Sequence, residues 1–476
     1  MTDSTEYSLS TVFDPNGDTS ENVFSMAEQL LKTYNFYSQS ACNRQSLWVY
    51  GQPTGIWTPE GEDIIRVQVQ EALSTCFNTH IMNEIVAYVK ASAYKPDIEL
   101  GGTETNIVCE NGTLDMTTGE FEEKFYPGEY HIAQIPVTYN PKAKCPHFLK
   151  FLEEVTASAD DREAIIEFIG YCLFKVYVYE IIVLLVGEGA NGKSILLSVV
   201  KSFLDSKNVT SVSPQQLEKS RFASAQLHGK LACISGDIPS QPLQYTGHIK
   251  TITGGDLIHA EHKNRGAFDF VNHAKLIFSA NQVPETWDSS RAFFRRFRII
   301  DFPNQFSPTD ENFVPRDLLL KHLLSETEKS GILNLALDGL KRLRKQGHLT
   351  GETTIDEKRS EYVRRSDPAQ YFFERFLTHD TEAPTLRKSI LYDMYVKYCH
   401  FIGKVPIADT TFGKKVKRLI PYAGESKPRE GDQRITVWTG IGLDYVSLEN
   451  DIKSGHSGQG GHRISSISDS QGRLDE

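Results

Sequence analysis

The feature that most constrains the fold is a glycine-rich loop between an apolar run and an amphipathic stretch. The run from Ile181 to Val186 has the length and composition of a buried strand. It leads into GEGANGKS, residues 187–194, and then into a stretch whose apolar residues recur at helical spacing. This is the pattern GxxxxGK[ST] in its strand–loop–helix setting, which predicts a phosphate-binding loop rather than a chance match.

The residue types of this loop suit a nucleoside triphosphate. Glycines let backbone N–H groups converge on phosphate oxygens, Lys193 supplies a positive charge, and Ser194 Oγ is suited to ligate Mg²⁺. We therefore predict ATP and Mg²⁺ as the bound cofactors. The predicted ATP contacts come from the whole loop: Gly187, Glu188, Gly189, Ala190, Asn191, Gly192, Lys193 and Ser194.

Two further apolar runs end in polar residues of the kind that hydrolysis needs. Residues 231–235 form a predicted strand that ends near Asp237, and the run AKLIFSAN ends in Asn281. A carboxylate at the end of a neighbouring strand can hold Mg²⁺ and polarise water. We therefore predict catalytic roles for Asp237 and Asn281, with Asp237 a Mg²⁺ ligand beside Ser194. Alternatively, Asp237 caps the turn before Pro239, and an asparagine after a strand is commonly a turn residue.

An arginine cluster follows in SSRAFFRRFRIIDFP. Four arginines lie among phenylalanines just before a predicted strand: Arg291, Arg295, Arg296 and Arg298. One interpretation is a solvated basic face. The other is an arginine finger, which enters the ATP site of a neighbouring subunit and stabilises the transition state. The adjacent Arg295 and Arg296, held between packed phenylalanines, suit that role, and we predict a catalytic function for them.

The 476 residues divide by composition and periodicity into seven segments. Alternating strands and helices over 176–305 predict an α/β core. Before it we expect a flexible tail over 1–20, a mixed α+β region over 21–100 with a hairpin in SLWVYGQPTGIWTP, and a largely helical extension over 101–175. That extension should include a small β element in TNIVCENGTLDMTTGEF and a helix in PHFLKFLEEV, whose apolar face is formed by Phe148, Phe151, Leu152 and Val155. After the core we expect a helical segment over 306–366, a basic module over 367–447 and a disordered Gly/Ser-rich tail over 448–476.

The basic module stands out by its charge. Residues 369–443 include twelve basic and eight acidic residues, a net charge of +4 in a chain of net charge −11. Two helices and a wing-like strand are predicted, the second helix being capped by Asp409 or Thr410. Its outward face carries the basic residues: Lys414, Lys415, Lys417 and Arg418. A winged helix that binds DNA is one interpretation, and a basic face on a structural cap is the other.

Composition argues against several other classes of protein. No apolar run approaches the roughly 20 residues that a membrane span needs, and MTDSTEYSLS lacks the features of a signal peptide. Seven scattered cysteines without a CxxC pair argue against a disulfide framework and a zinc ribbon. The negative net charge argues against non-specific coating of nucleic acid, although a local basic patch can still bind it.

In this order the motifs resemble those of the superfamily 3 helicases, AAA+-related ring ATPases of viruses and plasmids. The similarity is closest to the phage and plasmid primase-helicase branch that includes the poxvirus helicase-primase. GEGANGKS resembles motif A, LACISGDIP motif B and FSANQVP motif C, while IKTITGGDLIHAEHKNRGAFDF is similar to motif B′. ENGTLDMTTGEF, VTYNPKAKCPHFLKFL and REAIIEFIGYCLF are similar to the helical extension upstream, so the resemblance covers most of the chain.

The resemblance implies an α/β P-loop NTPase with an AAA+-like core, an N-terminal mixed or helical domain and a winged-helix-like module. It implies an ATP-dependent helicase of viral or plasmid DNA replication, in the host cytoplasm, whose homo-hexameric ring threads single-stranded or forked DNA 3′ to 5′. A motif B′ hairpin would contact the DNA backbone through Lys250, His259, His262, Lys263 and Arg265. An ordinary surface hairpin is the alternative. Primase motifs are not found, so a separate primase or polymerase is an expected partner.

One departure and one competing hypothesis remain. Many family members carry two adjacent acids in motif B, whereas here Gly236 precedes Asp237 and Ile238 follows it, so the catalytic base stays open. The competing function is an origin-binding initiator whose assembly is switched by nucleotide and which unwinds little DNA itself. Basic residues at the hairpin tip favour the helicase. A metabolic kinase is disfavoured because nothing resembles an acceptor-substrate site.

Overall fold

The amino-terminal part of this computed structural model combines three helices with a small antiparallel sheet. The structure describes residues 9–39, 46–96, 98, 100–263, 266–310, 313–379, 385–431 and 433–453. The first elements are α1 (Thr19–Thr33), β1 (Phe36–Tyr37), β2 (Trp48–Gly51), β3 (Ile56–Thr58), α2 (Gly61–Leu73) and α3 (Thr79–Ser92). Leu9 packs in the core with Met26 and Ile65. Leu9 is therefore buried and α1 begins within the predicted flexible tail, while residues 1–8 lie outside the described residues.

The next segment is less helical than predicted. Residues 101–145 contain strands β4 (Asn106–Cys109), β5 (Gly112–Asp115) and β6 (Phe121–Glu122), and no α-helix. Asn-Gly and Thr-Gly turns favour this antiparallel arrangement over a helix. Two helices follow, α4 (Pro146–Val155) and α5 (Ala159–Leu173), and α4 buries the predicted face of Phe148, Phe151, Leu152 and Val155.

A five-stranded parallel sheet forms the centre of the structure. Its strands are β7 (Ile182–Val186), β8 (Val209–Thr210), β9 (Ala232–Ser235), β12 (Lys275–Ala280) and β13 (Phe297–Asp301), in the order β13-β7-β12-β9-β8. Both faces of the sheet are covered. Val183 and Leu185 join one apolar cluster, while Ile182 and Leu184 join another on the opposite face. The predicted α/β architecture is therefore confirmed, and continuous apolar strands are typical of such a sheet.

Helices and one hairpin connect these strands. The helices are α6 (Lys193–Leu204), α7 (Pro214–Lys219), α8 (Arg221–Ala225), α9 (Gly247–Gly254) and α10 (Arg291–Phe294). The hairpin consists of β10 (Leu257–Glu261) and β11 (Ala267–Val271) and pairs Leu257 with Val271 at its base. Since β7 is flanked by β12 and β13, the loop that follows it emerges from the interior of the sheet.

Three helices follow the sheet: α11 (Arg316–Leu323), α12 (Glu326–Gln346) and α13 (Ile355–Ser366). Helix α12 packs closely against α5 through glycines. A Cβ on Gly170 would lie 2.1 Å from the backbone oxygen of Ala336, and one on Gly339 would lie 3.0 Å from the backbone of Glu167. Glu167 is fully buried and accepts a hydrogen bond from Thr350 N at 2.7 Å, besides its ion pair with Arg342.

We expect Gly170→Ala to lower the free energy of unfolding by about 1–3 kcal/mol, because backbone atoms of α12 occupy the space of the added methyl group. The measurement is a denaturant titration followed by circular dichroism. Gly413→Ala is the matched control, since Gly413 also lies in a helix and a Cβ there has no atom within 4 Å. A Gly170→Ala protein as stable as Gly413→Ala would show that the two helices are not held at this distance.

The carboxy-terminal part packs around its own apolar cluster, which includes Phe372, Phe412 and Trp438. Its helices are α14 (Pro368–Phe376), α15 (Lys388–Phe401), α16 (Asp409–Leu419) and α17 (Tyr445–Lys453). Its strands are β14 (Leu377–His379), β15 (Leu386–Arg387), β16 (Gly424–Ser426), β17 (Arg429–Glu430), β18 (Gln433–Arg434), β19 (Val437–Thr439) and β20 (Ile441–Leu443). Ala408, rather than Asp409 or Thr410, precedes α16, so the predicted cap is wrong.

The first residues assigned to the predicted disordered tail, 448–453, are helical. Helix α17 continues to Lys453, and Leu448 on it is buried. Apolar contact with the α14–α16 cluster explains why the helix passes residue 448. Residues 454–476 lie outside the described residues. In the part of the chain that the structure describes, no helix is both long and apolar enough to cross a membrane.

Candidate functional site

The backbone conformation of the glycine-rich loop requires glycine at two positions, Gly187 and Gly192. It leaves β7 at Val186 and ends where α6 begins at Lys193. A Cβ on Gly187 would lie 2.0 Å from Asn191 Nδ2, and Gly192 has φ +88° with Val155 packed against it. Two backbone hydrogen bonds tie the loop to the chain after β13, from Phe302 N to Val186 O and from Phe306 N to Ala190 O, both 2.8 Å. The loop is thus held in one shape.

Lys193 lies within this loop and is 5% exposed. Its Nζ donates to Asn191 Oδ1 at 3.1 Å, to Asn281 Oδ1 at 3.4 Å and to the carbonyl of Gly187. Burial lowers the pKa of Lys193, and the nearby carboxylate of Asp237 opposes that shift. The structure therefore brings the predicted Lys193, Asn281 and Asp237 to one edge of the sheet, the carboxyl ends of β7, β12 and β9.

Asp237 has an unusual backbone. Its φ of +51° lies in the left-handed region, which few non-glycine residues adopt. Its carboxylate accepts from Asn281 Nδ2 at 3.4 Å, and its backbone N–H donates to Ser279 Oγ at 3.4 Å. Such strain is concentrated at sites where a side chain must be aimed. The backbone turns the carboxylate toward Asn281 and Lys193 rather than into a simple turn cap before Pro239.

The oxygen donors at this edge fit Mg²⁺. Mg²⁺ is usually held by one or two carboxylates together with phosphate and water, and it does not need an all-protein cage. Asp237 supplies a carboxylate, and exposed Ser194 at the start of α6 supplies a hydroxyl. Among the described residues no group of three His, Cys, Asp or Glu side chains could hold a metal alone. The donor set suits a cation that arrives with a nucleotide.

Sequence reasoning missed two features near the loop. Ser279, inside the motif C-like strand, fixes the backbone of Asp237. Asp301 lies opposite Val186 at the end of β13, and Arg365 of α13 pairs with both of its carboxylate oxygens. The ion pair raises the pKa of Arg365, although burial acts in the opposite direction. Sequence spacing gives no signal for a contact between residues 64 positions apart.

The arginine cluster divides into buried and accessible members. Arg296 is 4% exposed, and its guanidinium donates to Thr253 Oγ1 at 2.8 Å and pairs with Glu180 at 3.1 Å. Arg296 is therefore wrong as a finger, because internal partners hold it. Arg295 Nε donates to Glu180 at 2.5 Å, but its side chain remains 46% exposed. The predicted packing of Phe293, Phe294 and Phe297 is confirmed, as all three are buried.

Arg295 and Arg296 lie at the opposite edge of the sheet from the glycine-rich loop. The carbonyl of Arg296 accepts from Ile182 N at 2.7 Å, which places this turn at the amino end of β7. The five residues of β7 separate that end from the loop, and at roughly 3.3 Å per residue this is about 15 Å. Arg295 therefore projects away from the loop of its own chain.

The β10–β11 hairpin presents only part of the predicted basic surface. Lys263 is exposed in the turn, while His262 is exposed and stacks on Phe268 with ring centroids 5.1 Å apart. His259 faces Asp269 across the strands at 2.8 Å. Lys250 lies on α9, not on the hairpin, and pairs with Asp288 at 2.8 Å, so its predicted placement is wrong. Arg265 lies outside the described residues.

The basic helix α16 is also only partly available. Lys414, Lys417 and Arg418 are exposed, and Lys417 pairs with Glu425 at 2.6 Å. Lys415 is 14% exposed at its side chain and bridges Asp367 at 2.5 Å and Glu285 at 3.4 Å. The prediction that Lys415 binds DNA is wrong in this structure, because the side chain joins the module to the loop after β12.

Comparisons with known proteins find two family matches and viral relatives. Residues 21–157 match the family described as D5 N terminal like, and residues 185–296 match a family of unknown function, DUF5906. The relatives include "Putative helicase L207/L206" of Acanthamoeba polyphaga mimivirus, 24% identical over 338 residues, covering 65% of this chain and 35% of the relative. "Putative helicase 184R" of Invertebrate iridescent virus 6 is 22% identical over 396 residues, covering 73% of this chain and 40% of the relative.

One solved structure aligns with most of this chain. The apo structure of the NrS-1 C terminal region covers 87% of this chain and 97% of its own, with 13% identity and a TM-score of 0.48. The chain spans little more than a third of the length of the curated relatives that it matches. The family match and the relatives support a phage- or virus-type primase-helicase protein, as the resemblance implied.

Proposed function

We propose that the chain is an ATP-dependent DNA helicase of virus- or plasmid-type replication, with ATP held between subunits. The observation that carries the proposal is the division of the site between two edges of the sheet. Lys193, Asn281 and Asp237 meet at the carboxyl edge, whereas Arg295 projects at the amino edge. Arg295 therefore cannot reach the ATP site of its own chain, and in an oligomer it can reach the site of a second copy.

Each residue at the carboxyl edge has a distinct role in this proposal. The loop amides and Lys193 bind the phosphates, and Asn281 orients the attacking water while contacting Asp237. Asp237 and Ser194 hold Mg²⁺, which when bound neutralises negative charge on the phosphates. The buried Lys193 and the constrained loop are positioned before nucleotide binds, so little reorganisation is required.

A neighbouring subunit would complete this site with Arg295. The guanidinium has to leave Glu180, to which it is paired in the single chain, and approach the phosphates across the interface. Arginine fingers of this kind contribute about 10³–10⁵ in rate. Each copy both gives and receives an arginine, so the arrangement supports a closed homo-oligomer. The resemblance implies that this oligomer is a hexamer.

DNA contacts are assigned to the hairpin and to the carboxy-terminal part. Lys263, His262, His259 and Arg265 form the proposed contact on the hairpin, and Lys414, Lys417 and Arg418 form that on α16. We propose a winged-helix-like role for the carboxy-terminal part, because α16 is followed by the β17–β18 hairpin. A separate primase or polymerase as partner and a location in the host cytoplasm belong to the same proposal.

The exposed α16 also favours the second candidate, an origin-binding initiator. Lys414, Lys417 and Arg418 form a local basic surface in an acidic chain, which is what a sequence-reading module would need. An initiator would bind duplex origin DNA tightly and hydrolyse ATP with little strand separation. A helicase would hydrolyse ATP faster when single-stranded DNA is present.

The test is ATP hydrolysis by the full chain with and without single-stranded DNA. We expect stimulation by DNA, and we expect Lys263→Ala to weaken DNA binding and lower the salt slope of the binding constant by about 0.7, because one phosphate contact is lost. Lys142→Ala is the control, since Lys142 is exposed far from the hairpin in sequence. Hydrolysis unaffected by single-stranded DNA would favour the initiator.

A further inference from the structure

A cleft lies where the core meets the carboxy-terminal part, away from the glycine-rich loop. Its volume is about 340 Å³, and it is lined by residues 285–289, by α13 and the start of α14, and by Arg418 and Leu419 of α16. Cavities of this size accommodate small organic groups. The cleft joins the loop after β12 to the basic helix α16, so it connects two parts of the chain that the proposed function assigns to ATP hydrolysis and to DNA.

Trp287 presents its indole at this cleft and is 66% exposed. The other three tryptophans are not: Trp57 and Trp438 are buried, and Trp48 packs against an aromatic cluster of the amino-terminal part. The backbone of Trp287 is fixed, because its N–H donates to Leu243 O at 3.1 Å. A tryptophan beside a cleft offers a ligand a large, planar apolar contact area.

The neighbouring Asp288 strengthens this rigidity. Its carboxylate accepts hydrogen bonds from Lys250 at 2.8 Å, from Ser290 N at 2.7 Å and from Thr246. Burial acts to raise the pKa of Asp288, but these hydrogen bonds lower it to about 2. The backbone that carries Trp287 is therefore anchored on both sides, so the position of the residue at the cleft is fixed.

The charges around the cleft leave one cation available. Glu285 and Asp367 share Lys415, Asp288 has Lys250, and Arg359 forms two 2.8 Å hydrogen bonds with Glu374. Arg418 is exposed and forms no ion pair with any residue that the structure describes. The lining therefore offers a planar aromatic face and one unpaired guanidinium.

We propose that this cleft binds one nucleotide unit of single-stranded DNA, with the base stacked on Trp287 and the phosphate on Arg418. Stacking on an aromatic side chain tolerates any base, and an adjacent cation holds the backbone, which is how sequence-independent single-strand sites work. Arg418 shares α16 with exposed Lys414 and Lys417, so a strand in the cleft can continue along a basic surface. The inference rests on the proposed action on DNA and adds a site outside the hairpin.

The exposed indole makes the test spectroscopic. Oligothymidylate of about 20 nucleotides is titrated into the full chain while tryptophan fluorescence is recorded. We expect quenching in the wild type and in Trp48→Phe. Trp287→Phe should still bind, as measured by fluorescence anisotropy of a labelled oligonucleotide, but should lose most of the quenching. Trp287→Ala should bind the oligonucleotide about 10-fold more weakly. Arg418→Ala should also weaken binding, and it should lower the salt slope of the binding constant by about 0.7.

The variants of Trp287 separate a DNA-binding cleft from a contact between subunits. Wild-type affinity in Trp287→Ala, with quenching retained in Trp287→Phe, would overturn the cleft while leaving the helicase proposal intact. A smaller oligomer in Trp287→Ala by sedimentation, with unchanged DNA affinity, would make Trp287 a contact between subunits and would also overturn it. A wild-type chain that binds no oligothymidylate would overturn both proposals. Because Trp287 is exposed, none of these variants removes core packing.

Discussion

Lys193→Ala is expected to reduce ATP hydrolysis by at least about a hundredfold, since it removes the positive charge held at the centre of the loop. The effect should exceed that of an ordinary surface substitution because Lys193 is buried against Asn191 and Asn281. Its loss also leaves the amide oxygens of both asparagines without that donor. Hydrolysis is measured as phosphate release at saturating ATP and Mg²⁺.

Lys201→Ala is the matched control for that experiment. Lys201 is exposed in the last turn of α6, the helix that begins with Lys193, so both variants change one lysine of the same helix. We expect hydrolysis by Lys201→Ala to equal that of the wild type. Equal hydrolysis by Lys193→Ala and Lys201→Ala would contradict the assignment of the glycine-rich loop to ATP.

Arg295→Ala is expected to reduce hydrolysis by about 10³-fold or more while nucleotide binding is kept, because the finger acts only in the transition state. Since Arg295 lies at the far edge of its own sheet, the defect should be repaired by another chain. Mixing Arg295→Ala with Lys193→Ala subunits should therefore restore part of the activity. In such a mixture, some subunit interfaces combine an intact glycine-rich loop from one variant with an intact Arg295 from the other.

Two neighbouring arginines serve as controls. Arg291→Ala should hydrolyse ATP like the wild type, since Arg291 is 67% exposed at its side chain and pairs with exposed Asp356. Arg296→Ala should instead lower stability, because it leaves Thr253 and Glu180 without their buried partner. Normal hydrolysis by Arg295→Ala, or no recovery on mixing, would contradict a finger that acts between subunits.

The sequence predicted the parts of the fold that depend on local patterns. The central strands are continuous apolar runs, and both the hairpin of β2 and β3 and the face of α4 follow from turn residues and periodicity. The carboxyl ends of parallel strands lie at the same edge of a sheet. This rule alone predicted that Lys193, Asn281 and Asp237 would lie close together. By contrast, the helical share of residues 101–175 was overestimated, since the predicted β element is followed by residues 123–145 without an α-helix.

The sequence did not predict which basic residues form ion pairs within the fold. Arg296, Lys250 and Lys415 resemble any other basic residue in a cationic stretch, yet each is held by an acid brought near by the fold. Lys415 meets Glu285 from 130 positions away. Whether a cation is free for a ligand depends on such long-range contacts, and so does the exposure of Trp287.

Strand displacement tests the central claim most directly. The substrate is a forked duplex with a 3′ single-stranded tail, incubated with the full chain, ATP and Mg²⁺ beside Lys193→Ala. The proposal predicts that the wild type releases the displaced strand and that Lys193→Ala does not. Hydrolysis of ATP by the wild type with no strand released would contradict a helicase that acts alone and would favour the origin-binding initiator.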